Sequence, residues 1–276
     1  WNEYTYGAID KIGKLIVPDT FTYLGNCRDG LMSFKQNGKY GYLDKQAKIV
    51  IPAMYERAEN FANGLAPVQL DENSKYGYIN KENKFVIEPK YVLAETFYEG
   101  YASVYASKKF YSMKAGNINS DKVGVIDTKG NEVIPPIYET VSLKRPGGTF
   151  RVTIGEMQGL VDSTGKIILA VENKKIDEFY DGVARVEKTK GVFGLVNTKG
   201  KWLLPAEYTE VYQMYSGNGF YAKKDGKYSV YDKNMKLIIQ PDTAIGIKIT
   251  KKNILYIFEN AAKLFDISGK LIKTIK

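Results

Sequence analysis

Apolar and polar positions alternate along residues 40–44, YGYLD, give way to the polar run 44–48, and resume as the β-branched run Ile49-Val50-Ile51 ahead of Pro52. The alternation predicts a half-buried strand, the polar run a turn, and the β-branched run the returning strand. Pro52 has no amide hydrogen to give a neighbour and is expected to end the pairing. Residues 53–62 read as an irregular link with a short fourth strand. Residues 64–69 read as one more strand, which leads through 71–75 into the same pattern again.

The pattern recurs along the whole chain. Its aligned first positions are Tyr6, Tyr40, Tyr76, Val123, Gln158, Phe193, Tyr228 and a worn copy at Ala262, separated by 34, 36, 47, 35, 35, 35 and 34 residues. A fixed period of this size marks a repeat architecture. The expected fold is all-β, a single domain over residues 1–276 with a half repeat near 262 and no internal boundary. One unit is too small to bury a core and must lean on the next. Eight hairpin signatures are joined by only seven links, so half a unit is left over however the repeats are cut. An open β-solenoid or superhelix can use that half as a cap, and is the expected architecture. The alternative is a closed β-propeller of about seven blades. An open stack predicts that deleting residues 159–193 leaves a folded protein of somewhat lower melting temperature. Loss of cooperative unfolding on that deletion supports the ring.

The turn is the best-kept piece: DKIGK, DKQAK, NKENK, DTKGN, DSTGK, NTKGK, DKNMK and DISGK. Asp or Asn at its first position accepts bonds from the amides ahead in an Asx turn. Gly13, Gly130, Gly165, Gly200 and Gly269, with Asn83, stand at the fourth position, where a type I turn followed by a bulge needs positive φ. Ala47 and Met235 break that rule. One carboxylate per turn is too few for a calcium loop. A second fixed glycine (Gly7, Gly41, Gly77, Gly124, Gly159, Gly194) implies a bulge or a close backbone approach. With the small residues Ala66, Ala102, Ala184 and Ala222, it suggests close packing of neighbouring units. Tyr40, Tyr76 and Tyr228 read as core residues rather than ligand platforms.

Composition narrows the function. The chain has 276 residues, 44% of them apolar, and no run long enough to cross a bilayer. It opens on Trp1 without a leader, as a mature chain would. Cys27 is the only cysteine and histidine is absent, which removes disulfides, Cys and His metal sites and histidine-based catalysis. No catalytic residue, metal site or cofactor is expected, and no pair of carboxylates is singled out for glycoside hydrolysis. The net charge is +9, carried by lysines at repeated turn positions, with five arginines. That pattern reads as solubility and edge protection. It makes nucleic acid an unlikely partner, since base and phosphate recognition favours arginine.

The frame aromatic-Gly-x-hydrophobic-Asp, then x-x-Gly-Lys and a β run ending in Pro, resembles the bacterial WG (KWG) repeat family. The continuations 61–66 (FANGLA), 97–102 (FYEGYA) and 179–184 (FYDGVA) match as well. Tyr, Val, Gln or Phe stands where that family usually has Trp. The resemblance implies a non-enzymatic interaction scaffold, exported or surface-associated, with a protein as partner. A carbohydrate or cell-wall ligand is the alternative, bound through aromatic loops. The irregular segments supply the candidate contacts: Phe110 and Tyr111 in the long insertion of the third copy, Arg145 after the fourth, and Tyr212 and Tyr215 in the sixth link.

Overall fold

The computed structural model describes residues 4–9, 11–106, 122–143, 148–214 and 217–276. The fold is all-β, with repeated four-stranded antiparallel sheets and no α-helix among the described residues. The chain forms two compact units, residues 1–143 and 144–276.

A complete sheet contains four strands in chain order, here called a, b, c and d. In the 23–55 sheet they are Tyr23–Leu24, Leu31–Gln36, Lys39–Asp44 and Ile49–Tyr55. The first unit holds this sheet, those of residues 57–91 and 93–138, and an opening hairpin of Tyr6–Ile9 with Leu15–Phe21. The second unit holds the sheets of residues 175–208, 210–242 and 246–275, and strands b to d over residues 150–173. The hairpin near 262, a half repeat in the sequence, is here c and d of the complete 246–275 sheet. Among the described residues, the two-stranded element is the opening hairpin.

The c–d turn follows the Asx reading. Asp44 accepts from the amides of Gln46 and Lys48, both at 2.9 Å, and the same pair of bonds recurs at Asp127, Asp162, Asn197, Asp232 and Asp266. The fourth turn residue has positive φ throughout, including Ala47 at 63° and Met235 at 65°. Left-handed backbone at an L residue with a Cβ is strained. Ala47→Gly should therefore raise stability by up to about 1 kcal/mol in urea unfolding. Met235→Gly should gain less, because its side chain packs against the cluster of Leu195, Val211 and Phe220.

One expectation fails and one is borne out with a different neighbour, for one reason. Pro52 does not end the pairing: strand d runs on to Tyr55, which pairs with Tyr40. Between Tyr40↔Tyr55 and Tyr42↔Ile51 the outer strand has two more residues than its partner, and Pro52 sits in that bulge, where no ladder donor is needed. The fixed glycine answers the bulge, not a neighbouring unit. A Cβ on Gly41 would lie 2.5 Å from the Ile51 carbonyl oxygen and 2.8 Å from the Ala53 nitrogen, both in the same sheet. The correlation holds along the chain. The wide bulge accompanies Gly7, Gly77, Gly124, Gly159 and Gly194. Ser229 has that place in the 210–242 sheet, where the bulge is one residue shorter (Tyr228↔Asp242, Val230↔Ile239). Lys263 has it in the 246–275 sheet, whose ladder runs unbulged from Ala262↔Ile275 to Leu264↔Lys273.

The core lies between consecutive sheets. Tyr42, Ile51 and Tyr55 of one sheet pack on Ala58, Phe61, Ala66 and Val68 of the next. Tyr76, Tyr78 and Ile87 then pack on Ala94, Phe97 and Ala102. Tyr76 and Tyr228 are buried as core residues, and Tyr40, half-buried, packs on the cluster of Tyr42, Ile51 and Tyr55. In four of the sheets a side-chain donor satisfies a backbone carbonyl near strand a of the next. In the first unit it is a strand-c tyrosine: the Tyr42 hydroxyl donates to Glu59 O at 2.7 Å and Tyr78 to Glu95 O at 2.8 Å. Burial pushes both hydroxyls far above the ordinary tyrosine pKa, so they stay protonated donors.

Candidate functional site

In two sheets of the second unit, Leu160 and Leu195 replace those tyrosines, and the donor moves to strand b. Arg151, paired with Leu160, donates to Ile176 O at 2.7 Å. Arg185, paired with Leu195, reaches Val211 O at 3.4 Å. Ser33, Pro67 and Ser103 hold the same strand-b position in the first unit. A small side chain there leaves room for Tyr42 and Tyr78, whereas an arginine fills the space beside leucine.

Arg185 lies at the centre of a cleft of about 260 Å³ between the 175–208 and 210–242 sheets. Its Nε donates to Asp177 Oδ2 at 2.9 Å. Its guanidinium lies 5.0 Å from the Phe193 ring centroid and 5.2 Å from that of Tyr212. Such cation–π stacking holds the flat group in a single plane. Leu195, Val211 and Phe220 form the apolar floor, and Asp177, Glu178, Tyr180 and Gln213 the rim. Tyr212 is 46% exposed and Tyr180 61%. Tyr212 also packs on Tyr221, with ring centroids 5.4 Å apart.

Burial would raise the Asp177 carboxyl, but hydrogen bonds from Lys175 and Arg185 and their charges outweigh it and hold the group below the ordinary carboxylate range. Asp177 is therefore ionised and committed to its partners, and Glu178 pairs with Arg151 at 3.3 Å. The charges are matched within the protein. What faces solvent is the Tyr180 and Tyr212 rings and Glu178, beside a guanidinium held by its partners, over a buried apolar floor.

Of the residues singled out in the sequence, Tyr212 lies in this cleft. Phe110, Tyr111, Arg145 and Tyr215 lie outside the described residues. Arg185, Asp177 and Tyr180 were not singled out as contacts. Their signal was arginine at 151 and 185 in place of the serine or proline of the first three sheets, joined at Arg185 to Tyr212 where Glu59, Glu95 and Asp177 stand in other copies.

A family model described as "WG containing repeat" matches residues 6–40, 40–73, 76–109, 124–143, 159–190 and 193–228. No curated protein matches the chain. Among solved structures, a eukaryotic initiation factor aligns at 10% identity and a TM-score of 0.35, over 97% of this chain and 92% of that one. The WD40 β-propeller domain of Doa1 aligns at 13% identity and a TM-score of 0.31, over 92% and 91%. BamB from Moraxella catarrhalis aligns at 10% identity and a TM-score of 0.28, over 92% and 76%.

Proposed function

Since the chain belongs to the WG-containing repeat family, we propose that it is a non-catalytic scaffold for protein–protein interaction, exported or surface-associated, that docks its partner at the Tyr212–Arg185 cleft. The observation that carries this reading is the departure of Tyr212 from the repeat pattern, which sets an exposed ring over the Arg185 guanidinium in a cleft that the exposed Tyr180 also lines. Tyr and Arg concentrate binding energy at protein interfaces when they flank a small apolar pocket. Asp177, Phe193 and the Val211 carbonyl hold Arg185 before any partner arrives, so little side-chain freedom is lost on binding. The cleft suits one apolar side chain of an extended segment, seated on Leu195, Val211 and Phe220. Absent histidine and a lone cysteine support the non-catalytic part.

Selection of displayed peptides against the full chain tests the site. Enriched peptides should carry an apolar or aromatic anchor and bind Tyr212→Ala at least about ten-fold more weakly, which corresponds to 1.4 kcal/mol. Peptides that bind Tyr212→Ala and the parent equally refute the site. A glycan array run in parallel covers the carbohydrate alternative, since a sugar stacked on Tyr212 would also be lost with that ring. Export is tested by fractionating the source cell: a chain confined to the cytoplasm refutes it.

A further inference from the structure

Arg151 and Arg185 hold the same strand-b position in successive sheets, and they differ at Nη2. Each spends Nη1 on a backbone carbonyl of the following sheet: Arg151 on Ile176 O at 2.7 Å, Arg185 on Val211 O at 3.4 Å. Nη2 of Arg151 is answered by Glu178 in an ion pair at 3.3 Å. Glu178 stands two residues beyond Ile176, and the residue two beyond Val211 is Gln213. Gln213 lines the cleft and carries no charge. Arg185 gives Nε to Asp177 and Nη1 to Val211 O, and its Nη2 makes no hydrogen bond among the described residues. The side chain lines the cleft and is 28% exposed, so Nη2 is the donor left for a ligand there.

The repeat itself says which acceptor fits: at Arg151 it is a carboxylate. Every charge beside the cleft has a partner, but Asp177 serves two. Lys175, Arg151 and Arg185 face Asp177 and Glu178, three cations to two carboxylates. A carboxylate from outside makes a stronger bond to Nη2 than a neutral acceptor and supplies the absent charge. The apolar floor adjoins this donor at a single residue, since Val211 gives its side chain to the floor and its carbonyl to Arg185. The occupant must therefore deliver an apolar side chain and a carboxylate within one residue's span. An internal leucine brings no carboxylate, and an internal aspartate or glutamate brings no apolar group. In the last residue of a polypeptide both leave the same Cα, and capture of a C-terminal carboxylate is a recurring mode of peptide recognition.

We propose that the cleft binds the C-terminus of its protein partner, with the last side chain apolar and seated on Leu195, Val211 and Phe220 and the α-carboxylate on Arg185 Nη2. This rests on the docking reading above and adds which part of the partner enters. The probe is a library of peptides tethered by their N-termini, random over the last four positions, with the α-carboxylate free, selected against the full chain. Enriched peptides should end in Leu, Ile, Val, Met or Phe. The best of them, made as the C-terminal amide, should bind at least about ten-fold more weakly than the acid. Gln213→Glu places a carboxylate where Glu178 stands beside Arg151. It should erase the preference for acid over amide and still bind the amide, whereas a merely structural loss would weaken both forms. Acid and amide binding equally, or a preference that survives Gln213→Glu, overturns the proposal. So does equal binding of the same peptide extended past its apolar residue. In those cases binding that still falls with Tyr212→Ala leaves the docking surface in place and rejects only the terminus, whereas binding indifferent to Tyr212→Ala rejects both.

Discussion

Gly41→Ala should destabilise the first unit by about 3 kcal/mol, at the top of the range for overpacking. The new methyl would meet Ile51 O at 2.5 Å, Pro52 C at 2.7 Å and Ala53 N at 2.8 Å. All three are backbone atoms of the bulge, and no rotamer change can move them aside. Relief requires the wide bulge to shrink, which shifts the register that places Tyr55 opposite Tyr40 and buries Tyr55 against the next sheet. Gly64→Ala is the control. Its φ is +81° and a Cβ there meets open space, so it should cost only the left-handed penalty of about 1 kcal/mol. Ser229→Gly, at the same repeat position in the narrower bulge, should change stability by about 1 kcal/mol or less. Urea unfolding of the four proteins measures the ordering. If Gly41→Ala costs no more than Gly64→Ala, the glycine does not serve the bulge.

The repeat, the strands and the chemistry of the c–d turn were legible because they are local. Asp44 bonds to amides two and four residues ahead, and the sign of φ at residue 47 follows from the turn type. A bulge was one reading of the fixed glycine, but its place at Pro52 was hidden because that proline has two readings. A proline at a strand end and a proline inside a bulge leave the same trace in the sequence, and only the partner of Tyr55 separates them. The fixed glycine was flagged for a bulge or a close backbone approach, and both hold, the approaching backbone being the bulged outer strand of its own sheet. The cleft was hidden for a different reason. It needs Asp177, Arg185 and Tyr212 side by side, and they come from the end of one strand a, the middle of one strand b and strand a of the following sheet. Tyr212 was visible as an aromatic in an irregular link. Arg185 looked like any polar residue on a strand until its neighbours Phe193 and Tyr212 were placed.

Arg185→Ala should cost about 2–3 kcal/mol, because it strips a charged donor from partly buried acceptors. Asp177 would keep only Lys175, at 3.1 Å, and the Val211 carbonyl would lose the donor that joins the two sheets. Arg185→Lys should recover less than half of the loss, since an ammonium cannot bond Asp177, reach Val211 O and stack between two rings at once. The pH dependence isolates the ion pair. The Asp177 carboxyl is held below its ordinary value, so the folded state binds fewer protons there than the unfolded chain. That contribution is fully present above the unfolded pKa of about 4 and is lost as pH falls through the lower folded value. The stability gap between the parent and Arg185→Ala should therefore be constant near neutrality and narrow below about pH 4. What remains at low pH is the share due to stacking on Phe193 and Tyr212 and to the Val211 carbonyl, neither of which titrates. A gap that stays flat from neutral to acid pH would assign the whole effect to stacking and the carbonyl, and would remove Asp177 from the account of how Arg185 is held.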